Sequence, residues 1–191
     1  MLNRKSALQR GWLKGLVLIG IFGIGLFLVG CGERVVSPNA DDGLQDLIWA
    51  QAQLDSAAES PEQVIGWLIT TTEQVLIGLL GGTLNFDFGE ESATLTIPAG
   101  ALRLLTMVTG TATHVDLRIL DVYIFDFGPD GLTFQKPATL TLETGQAEGT
   151  LRRLWWLNPA TGSWEYQQTA FVDAHGKISF EIHHFSKYGI N

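Results

Sequence analysis

The chain has 191 residues, with twelve Lys and Arg against twenty Asp and Glu and a formal net charge of −8. An acidic balance of that size excludes nucleic acid as the expected partner and opposes approach to anionic headgroups through the protein surface. A single cysteine excludes a disulfide within the chain, so the fold must stand on its core, for which the length is ample.

Residues 1–30 differ sharply from the rest. Arg4, Lys5, Arg10 and Lys14 come first, no acidic residue precedes Glu33, and Gly15 to Gly30 carries no charge. Sixteen uncharged residues fall short of the roughly 20 that a spanning helix needs. A basic start followed by a short apolar core is the layout of a secretory signal peptide, expected as a helix. The run ends in Leu28, Val29, Gly30 and Cys31, which resemble the bacterial lipobox. That resemblance implies lipidation of the Cys31 sulfur by diacylglycerol, cleavage before Cys31, and display of the mature protein on the extracytoplasmic face of a bacterial cell membrane or outer membrane. Gly32 is not the aspartate that resembles an inner-membrane retention signal, so both membranes stay open. Two readings compete with this one: an uncleaved signal anchor, since Cys31 and Gly32 extend the uncharged run to eighteen, and a buried thiol. A diacyl anchor is physically sufficient, at about 0.8 kcal/mol per buried methylene. Removing residues 1–30 takes away four basic side chains and no acidic one, which moves the net charge from −8 to −12.

Residues 31–60 are polar and acidic and read as a tether, partly helical, with Leu44, Leu47, Ile48 and Leu54 on one side. Residues 61–80 read as a helix or a first strand. Ser60, Pro61 and Gln63 form a helix-start signal with Val64, Ile65 and Leu68 as its stripe, whereas Thr70, Thr71 and Thr72 suit a strand.

From Gly81 to Asn191 the pattern changes to short alternating runs punctuated by Gly, Pro and Asp. "ATLTIPAGAL", "HVDLRIL", "VYIFDF" and "LTFQKPATLTLE" read as strands, and Pro137 within the last implies an edge strand or a bulge. "LRRLWWLN", "WEYQQTAFV" and "KISFEIHHF" read as two successive hairpins around "PATGS" and "DAHG". Strands at such intervals without helical periods predict an all-β fold, an antiparallel β-sandwich.

Three blocks, "GGTLNFDFGEESATLTIPAGAL", "FGPDGLTFQKPATLTL" and "HFSKY", resemble the ZU-five β-sandwich found in ankyrins, netrin receptors and zonula occludens proteins, in the form that also occurs in bacterial surface proteins. Ile97, Pro98, Gly100, Ala101, Leu102 and the stretch from Gly131 to Pro137 carry most of the likeness. The resemblance implies a non-catalytic interaction module. Some relatives break their own backbone in a His-Phe-Ser motif, which His184, Phe185 and Ser186 match. By that analogy the Ser186 hydroxyl would attack the Phe185 carbonyl, which requires a base and a strained peptide. Ile178, Phe180 and Ile182 share one strand face, so burying Phe185 requires a bulge near His183 and His184. A plain core-filling Phe185 explains the same residues.

Other chemistry is sparse. His183 and His184 are strand neighbours that point apart, His175 lies in a turn, and no metal site is expected from them or from His114. Asp126, Asp130 and Gly131 lack the spaced ligands of a calcium loop. No phosphate-cradling loop or nucleophile elbow occurs in the sequence, so neither a cofactor nor a further catalytic residue is expected. Trp155 and Trp156 should point to opposite faces, and an outward tryptophan beside Trp164 and Tyr166 would make a candidate platform for a glycan or protein partner. The competing reading packs it under the helix or tether. The functional expectation is a lipid-anchored interaction module, with self-processing or carbohydrate binding as alternatives.

Overall fold

The computed structural model describes residues 41–59, 68–117 and 120–191. The expected signal helix, Cys31 and the helix-start signal at Ser60 to Gln63 with Val64 and Ile65 lie outside these residues.

Among the described residues one helix, α1 (Asp41–Glu59), precedes ten strands: β1 (Leu68–Ile77), β2 (Gly82–Asp87), β3 (Ser92–Ile97), β4 (Thr106–Leu117), β5 (Leu120–Gly128), β6 (Thr133–Glu143), β7 (Leu151–Asn158), β8 (Ser163–Phe171), β9 (Lys177–His184) and β10 (Lys187–Ile190). They build two sheets in antiparallel pairing, six-stranded in the order β1-β4-β5-β10-β7-β8 and four-stranded in the order β2-β3-β6-β9. The expected all-β antiparallel sandwich is therefore the observed architecture.

Alternation explains the inner faces. Along β9, Ile178, Phe180 and Ile182 turn inward while their neighbours face water, and Leu95, Leu140 and Leu142 do the same on β3 and β6. Facing them from the larger sheet are Phe125 and Phe127, in edge and tilted contact with Phe86. Each such side chain contributes about 1.5–3 kcal/mol by leaving water. The threonines at the start of the domain settle the reading of residues 68–77 as strand: Thr70 and Thr72 lie 3.0 and 3.2 Å from Thr113 and Thr111 across the β1–β4 pair.

Several local expectations are corrected. The stretch taken as a tether contains α1, whose Leu47 and Ala50 are fully buried against Val115, Val122, Ile124, Trp155 and Trp164 on the outer face of the six-stranded sheet. From Asp41 onward it is therefore a third layer of the domain. "HVDLRIL" is not one strand, because β4 ends at Leu117 and β5 starts at Leu120 in antiparallel register. Only one of the two final hairpins forms: β7 pairs with β8, but β9 pairs with β6 in the other sheet. Pro137 does not mark an edge, because β6 lies between β3 and β9, and the register with β9 shifts between Thr133 and Ala138. The bulge that accommodates its missing N–H is thus on β6.

Candidate functional site

Two polar clusters and one aromatic cluster are candidates, and the sandwich places them at different points. The first lies where β4, β5 and β7 meet the β2–β3 turn. His114 and Tyr123 are direct cross-strand partners, and their rings stack at 4.3 Å with an interplanar angle of 8°. His114 Nε2 is 2.9 Å from Asp121 Oδ1, and its Nδ1 is 3.4 Å from Glu91 Oε2. Arg152 forms an ion pair with Asp121 Oδ2 and also donates to the Asp121 carbonyl at 2.8 Å and to Gln146 Oε1 at 3.1 Å. Tyr123 donates its hydroxyl proton to Glu91. Arg152 is buried, so its ion pair with Asp121 sits in a place with little water to screen it.

Burial alone would raise the Asp121 carboxyl, but the hydrogen bond from His114 and the charge and hydrogen bonds of Arg152 together outweigh it and hold the group below its ordinary value. Tyr123 moves the other way: burial first, then the nearby carboxylates of Asp121 and Glu91, push its phenol well above the ordinary value. It therefore stays a hydrogen-bond donor to Glu91.

One ligand atom from each of Glu91, His114 and Asp121 lies within 4.8 Å of the other two. The set nevertheless fits an ion poorly. The two carboxylates address different ring nitrogens, whereas an imidazole offers a metal only one. Asp121 also carries the Arg152 guanidinium, whose charge opposes a cation. The arrangement is better described as a closed polar network that pins the β2–β3 turn to the larger sheet. It escaped the sequence reading because its members are up to 61 positions apart, from Glu91 to Arg152. The one available signal was the His114 to Asp121 spacing, which becomes meaningful once the break between Leu117 and Leu120 is known.

The second cluster contains His184, Phe185 and Ser186. Here the chain leaves β9 in the smaller sheet and enters β10 in the larger one. Phe185 is fully buried, edge-on to Phe134 at 4.8 Å. The sheet change at this point, rather than a bulge in β9, turns it inward. Its N–H donates to the Leu132 carbonyl at 2.8 Å, and its carbonyl accepts from Gly131 N–H at 3.0 Å. The buried Ser186 hydroxyl accepts a hydrogen bond from Trp156 Nε1 at 2.9 Å. His184 is engaged elsewhere: the Tyr188 hydroxyl donates to its carbonyl at 2.9 Å and lies 3.2 Å from its Nδ1. Burial, and then the charge of Asp130, raise the Tyr188 phenol. A donor on Oγ withdraws electron density from the atom that would have to attack, and the peptide on either side is held by ordinary ladder-like bonds.

The aromatic residues do not form one outward platform. Trp155 and Trp164 are buried beneath α1, and Trp155 donates to Asn191 Oδ1 at 2.8 Å. Trp156 points the opposite way, half-buried against the inter-sheet core. Only Tyr166 of the four is exposed, edge-on to Trp155 at 5.9 Å. Strand alternation separated the two tryptophans as expected, but the outward one is covered by the helix. No protein-family model matches this chain, and no curated protein does.

Proposed function

We propose that this protein is a bacterial lipoprotein, fastened through a diacylglycerol on Cys31, that displays its β-sandwich outside the cytoplasm as a non-catalytic interaction module. The observation that carries the reading is the sequence Leu28-Val29-Gly30-Cys31 at the end of a short uncharged core with a basic start. The two-sheet antiparallel body is compatible with the ZU-five-like resemblance. The engagement of Ser186 by Trp156 and of His184 by Tyr188 supports a structural rather than a self-cleaving use of that motif. Among the described residues no helix is long and apolar enough to cross a membrane, so in this reading the lipid supplies the attachment. Metabolic labelling with palmitate tests it: the chain takes up label and fractionates with membranes, and Cys31→Ser abolishes labelling and maturation. An unlabelled parent chain, unchanged in size and fractionation by Cys31→Ser, overturns the reading.

A further inference from the structure

One end of the sandwich, opposite the His114 network, carries aliphatic side chains that the fold leaves in water. Leu79 and Leu80 form the tip of the β1–β2 turn and are 64% and 93% exposed; Leu104 and Leu105, in the loop before β4, are 77% and 69% exposed. Leu76 and Met107 are cross-strand partners and both exposed. The two loops that carry Leu79, Leu80, Leu104 and Leu105 lie side by side. A Cβ on Gly78 would stand 3.1 Å from Leu105 Cδ1, and Gly100 N–H donates to the Leu79 carbonyl at 2.8 Å, tying the two loops together. The turn is also rigid: Gly81 N–H closes on the Gly78 carbonyl at 3.0 Å, with Gly81 at φ +75°. Exposure here is thus built in by the backbone rather than caused by a loose loop.

Clustered exposed apolar side chains of this kind mark an interaction surface. The charge pattern indicates which one. Residues 76–81 and 98–107 contain no Asp or Glu and one cation, Arg103, in a chain with net charge −8. Lys136 leans over the same loop and donates to the Ala99 carbonyl at 3.0 Å, while Arg103 is held by Gln135 at 2.9 Å. The acidic side chains that oppose anionic headgroups elsewhere on the chain are thus absent from these two segments. Aliphatic side chains ringed by two cations match a phospholipid bilayer, with hydrocarbon for the leucines and headgroup phosphates for Arg103 and Lys136.

We propose that the loops 78–81 and 98–107 form a bilayer-inserting tip. This contact is additional to the anchor at Cys31 and does not depend on its acylation. The test uses the full chain reconstituted into vesicles of phosphatidylcholine and phosphatidylglycerol at 3:1, with a nitroxide on Leu80→Cys or Leu105→Cys and on Glu148→Cys in the exposed β6–β7 loop at the other end. The expected ratio of oxygen to polar nickel-chelate accessibility at positions 80 and 105 is at least about threefold that at 148, as for groups lying below the headgroups. Adding Leu79→Asp and Leu104→Asp, both at exposed sites, should return position 80 to the value at 148. Equal ratios at 80 and 148 in the unmodified tip overturn the proposal. So does spin–spin broadening at position 80 that persists in vesicles, which would mean that the tip binds another copy. The parent chain, labelled in parallel, reports whether the Cys31 sulfur is free, so failure of the anchor is read separately from failure of the tip.

Discussion

Leu47 of α1 rests directly on the backbone of Gly189 in β10: a Cβ built at Gly189 would stand 2.3 Å from Leu47 Cδ2. The absence of a side chain there is what lets the helix lie flat on the sheet. Gly189→Ala should therefore lift α1 and cost about 1–3 kcal/mol, the usual range for overpacking a filled site. Urea unfolding measures it, and the pairing should show in a cycle: combined with Leu47→Ala, the Gly189→Ala loss becomes markedly smaller than in the parent, because the colliding methyl is gone. A Gly189→Ala variant as stable as the parent would contradict the packing of α1 as a layer of the domain.

Trp155 distinguishes structure from recognition in the aromatic cluster. It is buried under α1 and hydrogen-bonded to Asn191, so Trp155→Ala should destabilise the fold by about 3–5 kcal/mol. Tyr166, half in solvent, should tolerate Ala at a cost of about 1 kcal/mol or less. Thermal denaturation of the two variants side by side checks the order. If both prove equally harmless, the helix does not cover this face, and the platform for a glycan or partner returns.

These two cases also show how much the sequence made legible. The inner faces of β3, β6 and β9 could be read because period-two alternation is local and strong. The turn at Pro98 and Gly100 and the change of texture at Gly81 were visible for the same reason. Strand pairing was not: β9 follows β8 in sequence across "DAHG" but pairs with β6, a choice set by which faces must close over Phe180 and Phe185 rather than by the connecting turn. The helix is only partly legible because its buried stripe is narrow: Leu47 and Ala50 are fully buried and Leu44 and Leu54 partly so, among acidic and polar neighbours. The polar network of Glu91, His114, Asp121 and Arg152 joins four separate segments, so its existence depends on topology.

The Phe185–Ser186 peptide should remain intact. Its carbonyl and the preceding N–H are held by Gly131 and Leu132, and the Ser186 oxygen accepts the Trp156 N–H. Intact-mass measurement of the native chain should find the last six residues, 186–191, still attached. Ser186→Ala should leave that mass pattern unchanged apart from the substitution and cost about 1 kcal/mol, because the partly buried Trp156 N–H loses its acceptor. A native species ending at Phe185 that disappears in Ser186→Ala would reverse this conclusion.

The network around Asp121 should give the protein an acid-sensitive component of stability. Arg152 and His114 hold the folded-state carboxyl below its ordinary value of 3.8, against the opposing effect of burial. The unfolded chain therefore takes up the proton first as pH falls. Stability from this group is fully present above the unfolded value and is lost as pH drops through the folded one, that is, below about pH 4. Asp121→Asn removes the charge at nearly constant shape and leaves the buried Arg152 without its counterion, so at pH 7 it should cost about 2–3 kcal/mol. Below about pH 4 the unfolded parent takes up a proton that its folded carboxyl resists, whereas the Asn variant has no such proton to gain, so the gap between the two proteins should narrow progressively. Paired urea titrations at pH 7, 5 and 3 follow that gap. Because Asn retains hydrogen-bonding capacity at the same position, convergence on the acid side isolates the charge of Asp121 from its packing, and a gap that stays constant from pH 7 to 3 would show that the carboxylate is not what Arg152 requires.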